Sequence, residues 1–190
     1  MTLLGEPLRE QALQMLAETL DVEVTLARVP GLTRDALRAI IFDAAAGPAE
    51  PPPAGKPRSV IAHTDGACRG NPGRSGAGVL ITTEDGREVA RISRYLGEMT
   101  NNMAEYTALL LALKEARHAG ADSITVKSDS ELLVRQINGE YKVKNDALRI
   151  MHQSARDLLG GFRRWKVMHV RREQNKEADL LANQAIDRRN

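Results

Sequence analysis

Apolar and polar positions divide the chain into two patterns separated by a proline-rich stretch. In the first, Leu8, Ala12, Leu13, Leu16 and Leu20 recur at helical spacing and predict an amphipathic helix over 6–20. A second helix is expected over 34–46. Thr33 is its N-cap, Asp35 lies in its first turn, Leu37, Ile40 and Ile41 form its apolar side, and Gly47 closes it. Pro30-Gly31 makes the turn between the two. Five of the eight prolines then fall between Gly47 and Pro57, which predicts an extended, exposed linker.

Beyond the linker the pattern turns to strands. Ser59–Thr64 reads as a short strand, and Gly76–Thr83 and Glu88–Tyr95 as a hairpin turning at Asp85-Gly86. From Asn101 to about Ala119 apolar residues lie nearly all round a helix, which predicts that it is buried. A strand over 123–128, helices over 130–138 and 145–159, a strand over 165–170 and a helix over 176–187 complete the chain. The order βββαβααβα predicts an α/β domain, a mixed sheet flanked by helices. The expected division is a small helical unit over 1–47, a linker over 48–58 and the main domain over 59–190. The first unit is too small to be stable alone, so it should pack on the main domain or on a partner, which the sequence does not identify.

Composition narrows the function classes. The chain has 190 residues, 42% hydrophobic and 27% charged, which suits one ordinary domain with an appendage and excludes wholesale disorder. Aromatic residues are only 3%, so the core is aliphatic and a broad base-stacking platform is excluded. The single cysteine, Cys68, excludes a disulfide framework and a cysteine-rich zinc site. No stretch approaches ~18 apolar residues, and Glu6, Arg9 and Glu10 stand where a signal peptide needs an apolar run. A cytoplasmic protein without membrane contact is expected. The net charge of +2 hides an asymmetry: residues 1–47 hold 4 basic and 7 acidic residues, and residues 59–190 hold 21 and 17. The basic balance of the larger part accords with a polyanionic partner.

Four acidic residues sit where solvent alone does not explain them. Asp65 ends the first strand before Gly66, and Glu105 lies on the buried helix between Ala104 and Tyr106. Asp129 terminates the strand over 123–128, and Asp179 occupies the first turn of the last helix before Leu180-Leu181. Half-buried carboxylates without partners cost several kcal/mol, roughly, and converging ones repel, so a bound cation is the natural counter-charge. An all-oxygen set without a Cys or His cluster points to Mg2+ or Mn2+. Each acid alone equally suits a turn or a helix dipole. The residues by themselves leave both readings open.

The motifs then become recognisable. Thr64-Asp-Gly-Ala-Cys-Arg-Gly-Asn-Pro-Gly73, Thr100-Asn-Asn-Met-Ala-Glu-Tyr106, Ser128-Asp-Ser130 and Asn175-Lys-Glu-Ala-Asp-Leu-Leu-Ala182 occur in that order over residues 59–188. Together they resemble type 1 ribonuclease H, the bacterial and archaeal form that lacks a basic protrusion. The resemblance implies a ribonuclease H-like five-stranded mixed sheet flanked by helices, carrying here an extra N-terminal helical unit. It also implies an endonuclease that hydrolyses the RNA strand of RNA–DNA hybrids and leaves 5′-phosphate and 3′-hydroxyl ends. Asp65, Glu105, Asp129 and Asp179 would hold two Mg2+ ions, Mn2+ being possible, with Asp65 bridging both. The segment Cys68–Asn71, including Arg69, and the pair Asn101-Asn102 would lie along the minor groove of the hybrid. There asparagine amides can both donate to and accept from a 2′-hydroxyl. Thr100 and Asn145 match positions that hold a phosphate of the DNA strand.

The chain departs from the family pattern at three places. The loop Val170-Arg-Arg-Glu-Gln174 lacks the histidine common before the last acid, and the resemblance offers Arg171 or Arg172 for phosphate stabilisation instead. The run Tyr141–Asn145 leads straight into the next helix, so hybrid affinity should be lower unless Lys142, Lys144, Arg163, Arg164 or the N-terminal unit compensates. Glu131 stands where glutamine is common. Two other classes are a hybrid-binding module without turnover and a superfamily nuclease acting on DNA. The complete acid set argues against the first, and the paired asparagines with the Cys68 segment argue against the second.

Overall fold

The structure, a computed structural model, describes residues 58–188. The helices expected over 6–20 and 34–46, and the linker up to residue 57, lie outside the described residues. Within them the elements run β1 (Arg58–Gly70), β2 (Gly73–Thr83), β3 (Glu88–Met99), α1 (Asn101–His118), β4 (Ala121–Ser128), α2 (Glu131–Ile137), α3 (Asp146–Gly160), β5 (Arg164–His169), a 3-10 turn (Arg172–Gln174) and α4 (Lys176–Asp187). The expected order of strands and helices is observed. One five-stranded sheet has the order β3-β2-β1-β4-β5. β1, β2 and β3 form an antiparallel meander, whereas β4 and β5 add in parallel on the other side of β1.

Alternation along the central strands builds two separate apolar layers. Val60 and Ala62 of β1 and Ala77, Val79 and Ile81 of β2 are fully buried in the main core with α1. There α1 is apolar on every side, as expected, with Tyr106, Leu109, Leu113 and Ala116 all buried. The apolar stripe of α3 (Leu148, Met151, Ala155, Leu158, Leu159) closes this layer. The opposite face of the sheet is covered by α4, whose Ala178, Leu181, Ala182, Ala185 and Ile186 are buried outside that core. The close seat of α4 depends on Gly76 and Gly78 of β2. A Cβ at Gly78 would run into the backbone of Ala178 and Ala182, and one at Gly76 into the carbonyl of Ala182.

β1 is longer than the hydrophobic pattern suggests. Its parallel pairing with β4 ends at Thr64↔Ser128, but its antiparallel pairing with β2 continues through Cys68↔Ser75 to Gly70↔Gly73. Asp65 therefore does not end the strand as expected; it stands where one neighbour stops and the other continues. The segment from Cys68 to Gly70 is strand rather than loop, and the turn narrows to Asn71-Pro72, joined by a cis peptide bond. The N-cap of α1 is Thr100, whose hydroxyl accepts from Met103 N at 3.4 Å, so Asn101 is the first helical residue and not the cap.

Candidate active site

The site forms where the parallel half of the sheet opens. Asp65 and Asp129 follow Thr64↔Ser128, the last pair of the parallel β1–β4 ladder, and so stand where that ladder ends and the two strands part. Crevices at such ends are where open α/β sheets bind ligands. Asp129 is followed at once by Ser130, the N-cap of α2, whose hydroxyl accepts from Leu133 N at 3.4 Å. The strand therefore ends sharply and leaves its acid on the rim.

Glu105 reaches the same place through a glycine. α1 lies so close on β1 that a Cβ at Gly66 would collide with the backbone of Ala104 and Glu105. Only glycine next to Asp65 permits that approach. Asn101, one turn earlier on α1, donates its amide to Glu105 Oε1 at 3.0 Å. Glu105 Oε2 is buried and makes no hydrogen bond. An orphaned, buried carboxylate oxygen is costly and marks a position suited to an absent partner.

Asn175 is the part of the site that sequence reasoning missed. It is 1% exposed and stands directly before α4, at the N-cap position, yet its side chain does not cap the helix. Its amide instead donates to the Thr64 carbonyl at 3.0 Å and to Asp129 Oδ1 at 2.7 Å. Its Oδ1 faces His63 Nδ1 at 3.3 Å, which makes that imidazole nitrogen the donor. One side chain thus ties β1, the end of β4 and the start of α4 together. The only sequence signal was an asparagine ahead of a helix start, which suggests a cap. His63 is part-buried; burial and then the nearby Lys127 pull its pKa below the ordinary value, against the bond to Asn175.

Asp179 comes from α4, and Arg172 of the 3-10 turn donates to its Oδ1 at 2.5 Å. The electrostatics show that the four acids share one field. Burial pushes the Asp65 carboxyl up to about 7, followed by repulsion from Asp129, Glu105 and Asp179, with Arg172 opposing. Burial also raises Glu105 to about 7 with help from Asp129, while the nearby Ser130 hydroxyl and the Asn101 amide work the other way. The structure thus brings together the acids picked out from the sequence.

An oxygen-only donor set with an orphaned carboxylate oxygen fits a hard divalent cation. Among the described residues, no three His, Cys, Asp or Glu side chains stand close enough to grip an ion by themselves. A Mg2+ site ordinarily needs only one or two protein carboxylates, completing its shell with water and substrate phosphate.

The remaining expected contacts divide into groups. Asn71 Oδ1 accepts from Asn101 N at 3.2 Å, which joins the β1–β2 turn to the start of α1 beside Thr100 and Asn102. Cys68 Sγ points at the Met99 carbonyl at 3.2 Å and ties the ends of β1 and β3. Asn102 and Asn145 line a groove of about 500 Å³ with Leu132, Tyr141, Lys142 and Lys144. Asn145 also caps α3 through Leu148 N at 3.0 Å. Arg171 precedes the 3-10 turn, and its backbone N–H meets Gln174 Oε1 at 3.3 Å. Arg69 turns away, paired with Asp187 at the far end of α4 at 2.5 Å.

A five-stranded mixed sheet with α1 and α4 on opposite faces and acids at its open end defines a ribonuclease H-like domain. Residues 63–185 match the family described as Reverse transcriptase-like. Ribonuclease HI of Halobacterium salinarum is 43% identical over 128 residues, covering 67% of this chain and 64% of that protein. Ribonuclease H of Anaplasma marginale is 36% identical over 149 residues, covering 71% of this chain and 94% of the relative. The crystal structure of the Halobacterium RNase H1 superposes with a TM-score of 0.67 over 68% of this chain and 98% of that one. LC11-RNase H1 in complex with RNA/DNA hybrid superposes with a TM-score of 0.65 at 41% identity, over 68% and 97%. The chain belongs to the ribonuclease HI family. It spans 64% of the length of the Halobacterium relative, and 35% of a Mycobacterium tuberculosis one. Among the described residues, no helix is long and apolar enough to cross a membrane.

Proposed function

We propose that the chain is an endonuclease that hydrolyses the RNA strand of RNA–DNA hybrids, leaving 5′-phosphate and 3′-hydroxyl ends. The observation that carries this reading is the buried, unpartnered Glu105 Oε2 within a set of four mutually repelling carboxylates. Asp65, Glu105, Asp129 and Asp179 would hold two Mg2+ ions, or Mn2+. Bound there, such ions would neutralise the scissile phosphate and make water a better nucleophile at neutral pH. The chain's own residues supply the rest. Asn175 fixes the orientation of Asp129, and Asn101 that of Glu105, so the donors need little rearrangement before substrate arrives.

Strand choice requires a reader of the 2′-hydroxyl. Asn71, Asn101 and Asn102 stand together beside Glu105 and present both amide donors and acceptors, which suits that hydroxyl. The groove holding Lys142, Lys144 and Asn145 lies beyond Asn102 and suits the phosphates of the opposite strand. That one relative was solved with an RNA/DNA hybrid supports the same substrate here.

The full chain with Mg2+ should cut a labelled RNA–DNA hybrid and leave the matching DNA duplex whole; no cut across a series of divalent metals refutes the proposal. Asp129→Asn keeps an acceptor for the Asn175 amide, so it should retain its circular dichroism spectrum while losing turnover by at least about a hundredfold. Full turnover in that variant would show that Asp129 is not among the working acids.

A further inference from the structure

Arg172 donates a hydrogen bond to Asp179 Oδ1, a member of the acid set, at 2.5 Å. It also acts on Asp65 and Asp129 through space, opposing the mutual repulsion of the acids. The backbone beneath it is braced. Gln174 N donates to Arg171 O at 2.8 Å, Asn175 N to Arg172 O at 2.9 Å, and Asn175 is itself locked to Thr64 and Asp129. The guanidinium end is different, because the Arg172 side chain is 73% exposed against 28% for Asp179. The anchor is fixed and the arm can swing out into water.

Resting on the metal-binding reading of the acids, we propose that Arg172 is a built-in, displaceable counter-ion of Asp179 that competes with a divalent cation for that carboxylate. Asp179 has a second oxygen, but negative charge shared with a guanidinium on Oδ1 is less available to a metal than that of a free carboxylate. The Asp179 arm is therefore the weak half of the site until the arginine leaves. A phosphate of the arriving strand is a suitable acceptor for the released fork, because guanidinium and phosphate pair in two-point geometry. Cation binding at this arm and strand binding then favour each other, as any two ligands do when each removes the other's competitor.

The test is Mn2+ binding to the full chain without nucleic acid, followed by electron paramagnetic resonance of the free ion. Arg172→Ala and Arg171→Ala remove the same charge from the same loop, but only the first removes the contact. Displacement predicts that Arg172→Ala tightens the weaker binding step about fivefold, the scale of a part-exposed ion pair. Arg171→Ala should change it less than about twofold. Arg172→Lys, which keeps the charge, should stay nearer the wild type. Equal tightening in Arg172→Ala and Arg171→Ala, or none in either, overturns the inference while leaving the metal site standing. Asp129→Asn separates the two claims: if wild type and Asp129→Asn both fail to bind Mn2+, the metal-binding reading falls, and the displacement falls with it.

Discussion

Asn175 offers the sharpest test of how the site is held. Replacing it with alanine deletes the bond to the Thr64 carbonyl at 3.0 Å and the bond to Asp129 Oδ1 at 2.7 Å. A bond to a neutral carbonyl is worth about 1 kcal/mol net and one to a carboxylate about 2 kcal/mol. The side chain is 1% exposed, so water does not readily replace it, and a small void adds to the loss. The expected destabilisation is about 3–5 kcal/mol. At about 4 °C per kcal/mol for a domain of this size, the melting temperature should fall by about 12–20 °C. Urea unfolding followed by circular dichroism gives the free energy directly, and an unchanged slope would confirm that the same structure unfolds. Asn175→Asp adds a second test, because it places a carboxylate against Asp129 Oδ1 and the Thr64 carbonyl, where no proton remains to donate. It should be at least as destabilising as alanine above about pH 7 and should recover as the new acid is protonated. A loss below about 1 kcal/mol in Asn175→Ala would refute the view that this residue clamps β1, β4 and α4.

Three further outcomes follow from the same geometry. In metal-free buffer the folded state holds protons on Asp65 and Glu105 up to about 7, whereas the unfolded chain releases them near 3.8 and 4.5. The folded state binds more protons in that window, so these acids make stability fall as pH rises from about 4 to about 7 and level off above. Asp65→Asn should remove up to about 2.7 kcal/mol of that fall, read from urea midpoints at about pH 5 and about pH 8; an unaltered pH slope would contradict it. Gly78→Ala drives a methyl into the backbone of Ala178 and Ala182, so it should cost at least about 3 kcal/mol and weaken metal binding with it; near wild-type melting would contradict the close seat of α4. A chain beginning at residue 58 should fold and keep Mg2+-dependent cleavage, since the described core closes within residues 58–188; an unfolded product would refute the division at the linker.

The strand and helix order was legible because the aliphatic runs are long and sharply bounded, and the four acids because each interrupts such a run. The end of β1 was not. Hydrophobicity marks where both neighbours bury a strand, and past Thr64 only β2 remains, with Gly66 and Gly70 giving a loop-like composition to residues that still pair. Which of Thr100 and Asn101 caps α1 is not legible in the sequence, because either residue type caps a helix and only the register of α1 decides. The role of Asn175 is hidden for a related reason: its place before a helix suits a cap, but its partners lie 111 and 46 residues away in the chain. Arg69 was placed with the substrate contacts by its motif, yet its ion pair with Asp187 depends on where α4 ends, which no local pattern records.

The seat of α4 over Gly76 and Gly78 has a consequence for how the site fails. Asp65, Glu105 and Asp129 stand on the sheet and on α1, whereas Asp179 rides on a helix held against the far face by its own small apolar layer. A fluctuation that lifts this last helix would strip one acid from the pocket while the main core stays shut. Activity should therefore vanish on heating before the bulk of the fold melts, and amide protons of the final helix should exchange sooner than those of α1.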